Sequence, residues 1–159
     1  MDCNDRANFA LACIGGGLTE KQTVDQILAC NEQTQQHGLI LNEQQALALA
    51  QARTEALKEN RRIEFGGGML DKLMMAVCDS PYVTQENYVD TLHEWIALFY
   101  ELKNQTWDTI SDDDLLDFLK KALNGCCHGS MELVADRAMR LAEHIHCGKK
   151  LDSFSLEEE

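Results

Sequence analysis

The apolar side chains between residues 85 and 103 repeat at the spacing of an α-helix, with charged residues on the opposite side. The most regular of them are Tyr88, Leu92, Trp95, Phe99 and Leu102. Residues three or four positions apart share one face of a helix, and an apolar face must be buried against another element. We therefore predict a long amphipathic helix here, begun by Thr84 as N-cap, and expect it at the centre of the core.

Five further segments show helical periodicity together with start and stop signals. Thr19 and Asn42 are each followed three residues later by a glutamine, which forms a capping box, and Ser111 and Ser130 are typical N-cap residues. Glycines and the single proline end the periodic runs. With the first segment, the predicted helices cover residues 20–36, 43–59, 69–78, 85–103, 112–123 and 131–146.

The whole chain fits one helical domain. No segment alternates as a half-buried strand does, and 159 residues is the length of one domain. We predict an all-α fold, a single-domain bundle of five to six amphipathic helices with no sheet. Residues 1–18 are expected to form a weakly ordered arm or a short helix, residues 19–147 the helical domain, and residues 148–159 an acidic tail.

Charge and cysteine content restrict the partners and the compartment. The formal net charge is -13, which repels phosphate backbones and anionic lipids, so neither nucleic acid nor membrane is expected as a partner. Seven cysteines without framework spacing favour reduced thiols in the cytoplasm. No cofactor is expected, because the sequence contains neither a phosphate-binding loop nor a dinucleotide-binding motif.

The segment from Arg53 to Tyr82 holds three consecutive glycines, the only proline and three arginines. A glycine-rich loop before a helix presents backbone N–H groups that bind anions. One interpretation of the segment is therefore a pocket for a phosphate or carboxylate group, with or without enzymatic activity. Its candidate ligand-binding residues are Arg53, Arg61, Arg62, Glu64, Gly66, Gly67, Gly68, Asp79 and Tyr82.

The structural interpretation of the same segment is the one that we favour. The glycines allow a tight turn, and the arginines pair with carboxylates, because a buried arginine needs such a partner. The carboxylates within reach in the sequence are those of Glu55, Glu59, Glu64 and Asp79. Whether Arg53 meets one of these carboxylates or lines a cavity is not decided by the sequence.

Six potential soft-metal ligands lie towards the C-terminus. They are Cys126, Cys127, His128, His144, His146 and Cys147. The two groups are separated by about 16 helical residues and so by roughly 24 Å, whereas all ligands of a zinc ion lie near 2 Å from the metal. We predict no metal site within the chain; a metal or redox role needs another helix or a second subunit.

No catalytic residue is predicted, and the nearest candidate is Cys78. It lies at the C-terminal end of a predicted helix beside Asp79, two conditions that raise the pKa of a thiol and make it unreactive. A buried, inert thiol is therefore expected.

Several segments resemble a family of small bacterial proteins of unknown function. The resemblance spans Ile27 to Arg140 and is most specific in RIEFGGG and CDSPY. It implies a cytoplasmic bacterial protein and assigns no catalytic residue. The acidic surface, the many helices and the absence of an assembled catalytic set lead us to expect a non-enzymatic domain that binds another protein or itself. A small-anion site at residues 53–82 and a role for the C-terminal cysteines and histidines are the alternatives.

Overall fold

The computed structural model describes residues 19–156. Its helices are α1 (Glu20–Ala29), α2 (Asn31–Thr34), α3 (Glu43–Glu59), α4 (Leu70–Val77), α5 (Tyr88–Gln105), α6 (Asp112–Asn124) and α7 (Met131–His146). Short 3₁₀ helices cover Gln35–His37 and Leu151–Ser153. Six helices have eight residues or more, and residues 19–156 contain no strand, so the predicted all-α bundle is confirmed. The arm or short helix predicted for residues 1–18 lies outside the described residues.

Helix α5 lies at the centre of the core, as its apolar face predicts. It packs against α3, α4, α6 and α7, while α1 packs against α3 and α4. All five residues that define its predicted apolar face are fully buried, namely Tyr88, Leu92, Trp95, Phe99 and Leu102, and so are the neighbouring Ile96 and Tyr100. The Trp95 indole N–H donates to the Leu73 carbonyl of α4 at 3.1 Å, so the polar atom of this large ring is paired inside the core.

The predicted N-caps of four helices are present. Thr19 and Asn42 form capping boxes with the glutamine three residues further on. The hydroxyl groups of Ser111 and Ser130 accept the backbone N–H three residues further on. Because each cap pairs a backbone N–H that has no partner within its helix, α1, α3, α6 and α7 begin where the sequence predicts.

The prediction of one continuous helix over residues 20–36 is wrong. Helix α1 ends at Ala29, a turn at Cys30 follows, and α2 with a 3₁₀ helix completes the segment. The Asn31 side chain bonds both the N–H and the carbonyl of Leu41, each at 2.9 Å. These bonds tie the start of α2 to the segment that leads into α3. The chain therefore turns after α1 and does not continue as one helix through Cys30.

The predicted N-cap of α5 is also wrong. Helix α5 begins at Tyr88, and its N-cap residue is Asn87 rather than Thr84. The Asn87 side chain accepts the Thr84 N–H at 2.9 Å and donates to the Tyr82 carbonyl at 3.0 Å. These two hydrogen bonds stabilise a turn over residues 84–87, so the first predicted turn of the helix does not form.

The described part of the predicted acidic tail packs against the bundle. The Phe154 ring meets the rings of Phe118 and His144 edge-on, with centroids 5.6 and 5.3 Å apart. The Ser153 hydroxyl lies 2.8 Å from His144 Nε2. The packed part of the protein therefore extends past residue 147, to Leu156. No helix within residues 19–156 has the length and apolar character needed to cross a membrane.

Candidate functional site

Between α3 and α4, residues 62–65 turn their two charged side chains towards the protein and their two apolar side chains towards solvent. The side chains of Arg62 and Glu64 are 20% and 11% exposed, whereas Ile63 and Phe65 are 73% and 78% exposed. Successive side chains from 62 to 65 thus alternate between the protein and solvent. We call residues 62–66 the presenting loop.

Glu64 is held by two residues of the core. Arg53 of α3 donates from Nη2 to Glu64 Oε1 at 3.1 Å, and the Tyr100 hydroxyl of α5 donates to the same oxygen. Arg53 is 4% exposed and Tyr100 is fully buried. Burial, together with the Glu64 carboxylate, raises the pKa of Tyr100 above its usual range, so its hydroxyl remains a donor. Arg53 therefore does meet a carboxylate, and that carboxylate is Glu64.

Arg62 anchors the N-terminal end of the presenting loop. Its guanidinium pairs with both carboxylate oxygens of Asp108, at 2.7 and 3.2 Å, and donates to Asn104 Oδ1 at 2.5 Å. Asn104 in turn donates to the Asn60 carbonyl at 2.8 Å. Arg62 thus links the C-terminal ends of α3 and α5, through a carboxylate that was not among the partners expected from the sequence.

The Arg62–Asp108 pair predicts a small pH dependence of stability. The hydrogen bond from Arg62 lowers the pKa of Asp108, so this contribution is present above the unfolded-state pKa of about 4 and is lost as pH falls through the folded-state pKa. We expect Asp108→Asn to lower the free energy of unfolding at pH 7 by less than about 1 kcal/mol, because the pair is exposed to solvent. Urea unfolding at pH 7 and pH 3 tests this; a difference from wild type that is equal at both pH values would contradict it.

The three glycines are required by backbone conformation and by close packing. Gly66 and Gly68 have φ angles of 58° and 54°, in the left-handed region that glycine adopts without strain. A β-carbon on Gly67 would overlap the Gln26 amide of α1, and one on Gly68 would overlap the Glu64 carboxylate. Gly67 and Gly68 therefore pack directly against the Gln26 and Glu64 side chains.

The other predicted site residues have their contacts elsewhere. Arg61 is exposed and forms no ion pair within residues 19–156. Asp79 pairs with Lys120 at 3.5 Å, and the Tyr82 hydroxyl lies 3.3 Å from His128 Nδ1. Of the predicted set, the structure groups Arg53, Glu64 and the glycines around one another.

Two residues of this group were missed by sequence reasoning, namely Gln26 and Tyr100. They come from α1 and α5, far from the loop in the chain, and neither carries a local motif. The sequence gives one weak indication that Tyr100 is buried with its hydroxyl paired, because this polar aromatic residue lies next to the apolar face of the central helix.

The six C-terminal cysteines and histidines do not form one cluster. Cys126 and Cys127 have their sulfurs 3.8 Å apart, while the rings of His146 and Trp107 stack with centroids 4.3 Å apart. In the part of the chain from 19 to 156, no three His, Cys, Asp or Glu residues are placed to hold a metal ion. Burial raises the pKa of Cys127 to about 11. Burial and then Asp79 raise the pKa of Cys78, which fits the expected inert thiol.

The fold and the site define an all-α single-domain bundle in which a buried ion pair supports an exposed apolar loop. The chain belongs to DUF6323, a family of unknown function, whose model matches residues 26–151. The matched range contains α3 to α7, the presenting loop and all of its contacts. Neither a curated protein nor a solved structure matches the chain.

Proposed function

We propose that this domain binds a protein partner through the presenting loop. The observation that carries the proposal is the exposure of Ile63 and Phe65 on a loop whose charged residues are turned inward. A single exposed apolar residue is ordinary, but two large ones held on the same short loop resemble the anchors of an interface.

The anchoring of the loop supports the same function. Glu64 is held by Arg53 and Tyr100, and Arg62 by Asp108 and Asn104. A loop fixed at two points loses little conformational entropy on binding, so more of the contact energy appears as affinity. Ile63 and Phe65 contact mainly solvent, so holding them in a fixed position adds little to the stability of the fold. It does favour the binding of a partner.

The charge of the protein favours a partner different from itself. At a formal net charge of -13, two copies repel each other, whereas a partner with a basic surface around an apolar pocket is attracted. A second copy of the chain is the alternative partner, and its contact would be sensitive to salt.

The double substitution Ile63→Ser with Phe65→Ser tests the proposal. Burial of an isoleucine and a phenylalanine contributes about 1.5–3 kcal/mol each, so we expect the double variant to lose at least about 100-fold in affinity. Wild type is used to capture a partner from a lysate of the native organism. The purified partner is then titrated against each variant by calorimetry, and self-association is measured by sedimentation.

The matched control is Ile40→Ser with Leu133→Ser, at residues that are 51% and 49% exposed on other parts of the surface. Both double variants are expected to keep the wild-type melting temperature. Equal affinity of the two double variants for the purified partner, or the absence of any partner together with a monomeric wild type, would refute the proposal.

A further inference from the structure

The three most exposed large apolar residues within residues 19–156 are Phe65, Ile63 and Trp107, at 78%, 73% and 61%. The first two belong to the presenting loop, and Trp107 lies in the turn that follows α5. Single apolar residues are ordinary on a protein surface, whereas a group of them marks an interaction site. The position of the turn relative to the presenting loop therefore decides whether Trp107 belongs to the same surface.

Hydrogen bonds tie the turn after α5 to the start of the presenting loop. The Arg62 guanidinium pairs with both carboxylate oxygens of Asp108 and donates to Asn104 in the last turn of α5. Ile63 and Trp107 each follow or precede one member of this ion pair directly in the chain, at about 3.8 Å between α-carbons. The two segments thus lie side by side where α3 and α5 end. A standard interface buries about 800 Å² of each partner, so one partner can cover both.

The backbone of the turn holds Trp107 in a conformation that is unfavourable for a bulky residue. Trp107 and Asp108 have φ angles of 57° and 56°, in the left-handed region where helix ends usually place glycine. The Trp107 N–H donates to the Asn104 carbonyl at 2.9 Å, which closes the turn. The Asp108 N–H donates to the Lys103 carbonyl at 3.1 Å. Residues kept in such conformations concentrate at functional sites, and here the result is an indole outside the core.

The ring of Trp107 is also oriented by His146 at the end of α7. The two rings stack with centroids 4.3 Å apart and planes 16° apart, and His146 Nε2 donates to the Gln105 carbonyl at 2.6 Å. The imidazole therefore supports one face of the indole and leaves the rest to solvent. A side chain that is already held in place loses little entropy on binding, and tryptophan is among the residues that contribute most to interfaces.

We propose that Trp107 and the presenting loop form one binding surface, and that the partner is a basic protein with an apolar pocket for the indole. The inference rests on the proposed function and extends it, since it adds the largest exposed apolar side chain to the contact. The C-terminal ends of α3 and α5 both bring partial negative charge to this surface, in a chain of net charge -13. Lysine or arginine side chains at the rim of the pocket are complementary to it, whereas a second copy of the chain is repelled.

Photo-crosslinking from single positions of the full chain tests whether the surface is shared. The photoreactive amino acid p-benzoylphenylalanine replaces Phe65 or Trp107, and each variant is irradiated in a lysate of the native organism. Leu133, which is 49% exposed on α7, is replaced in the control. We expect positions 65 and 107 to crosslink to the same protein, with a basic surface, and position 133 not to do so.

The crosslinks distinguish this inference from the proposed function. A crosslink from position 65 without one from position 107 would overturn the inference and leave the proposed function intact. Crosslinks to two different proteins would likewise show two separate surfaces. The absence of crosslinks from both positions would overturn the inference and the proposed function together, and a crosslink to a second copy of the chain would contradict a basic partner.

Trp107→Gly separates the contribution of the indole from that of the backbone. Glycine adopts a φ angle near 57° without strain, so we expect a melting temperature no lower than that of Trp107→Ala. The affinity of both variants for the purified crosslinked protein is expected to fall at least about 10-fold, because the burial of the indole is lost. Leu133→Ser is the control and is expected to bind as wild type does. Calorimetry measures the affinities, and wild-type affinity in Trp107→Gly would overturn the inference.

Discussion

Replacement of Arg53 by methionine is expected to lower the free energy of unfolding by about 3–5 kcal/mol. Arg53 and Glu64 form an ion pair whose side chains are 5% and 11% exposed. Removing one partner leaves the other charge desolvated and uncompensated, which costs far more than the net contribution of the intact pair. Guanidinium unfolding at pH 7, followed by circular dichroism, measures the change.

The double substitution Arg53→Met with Glu64→Gln separates the two effects. Loss of both charges removes the uncompensated carboxylate, so the double variant is expected to be more stable than Arg53→Met alone. Arg140→Met is the control, because Arg140 pairs with Asp136 on the surface of α7 at 3.1 Å. An equal loss of stability in Arg53→Met and Arg140→Met would show that the Arg53 pair is not effectively buried.

Replacement of Trp95 by alanine is expected to destabilise the protein by about 3–5 kcal/mol. Trp95 is fully buried in α5 and donates to the Leu73 carbonyl of α4. The substitution leaves a large cavity at the junction of the two helices. The closely packed core around this cavity relaxes only in part to fill it. Urea unfolding monitored by circular dichroism gives the difference in free energy.

Trp107→Ala is the matched control, since the chain has only two tryptophans. Trp107 is 61% exposed and stacks on His146, so its loss is expected to cost about 1 kcal/mol or less. Both substitutions leave a single tryptophan, whose fluorescence reports unfolding independently. Comparable destabilisation by the two substitutions would contradict the central position of α5.

The helices were largely predictable because their signals are local. The start of α3 depends on Asn42 and Gln45, which are three residues apart, and the burial of Trp95 follows from the spacing of its apolar neighbours along one helix. The two errors occurred where side chains bond across a turn. Asn31 bonds to Leu41 and Asn87 to Tyr82, and these contacts compete with the helix for the same backbone.

The candidate site was predictable only in part. The glycines and arginines were predictable as site residues because they are concentrated in one segment of the sequence. Glu64 was one of four carboxylates proposed as partners of the arginines. Tyr100, Gln26 and Asp108 lie on or beside other helices, and which of their atoms reach the loop depends on how α1, α3 and α5 cross. Helical spacing along each segment contains no information on those crossings.

By itself, the sequence determined that the chain forms an all-α bundle and that the segment between α3 and α4 breaks the helical pattern, because periodicity, caps and glycine conformation act over a few residues. Only the tertiary structure decided that Arg53 pairs with Glu64, that Arg62 pairs with Asp108, and that Ile63 and Phe65 therefore face solvent. These contacts join residues from different helices, and their energies depend on the burial that the packed bundle creates.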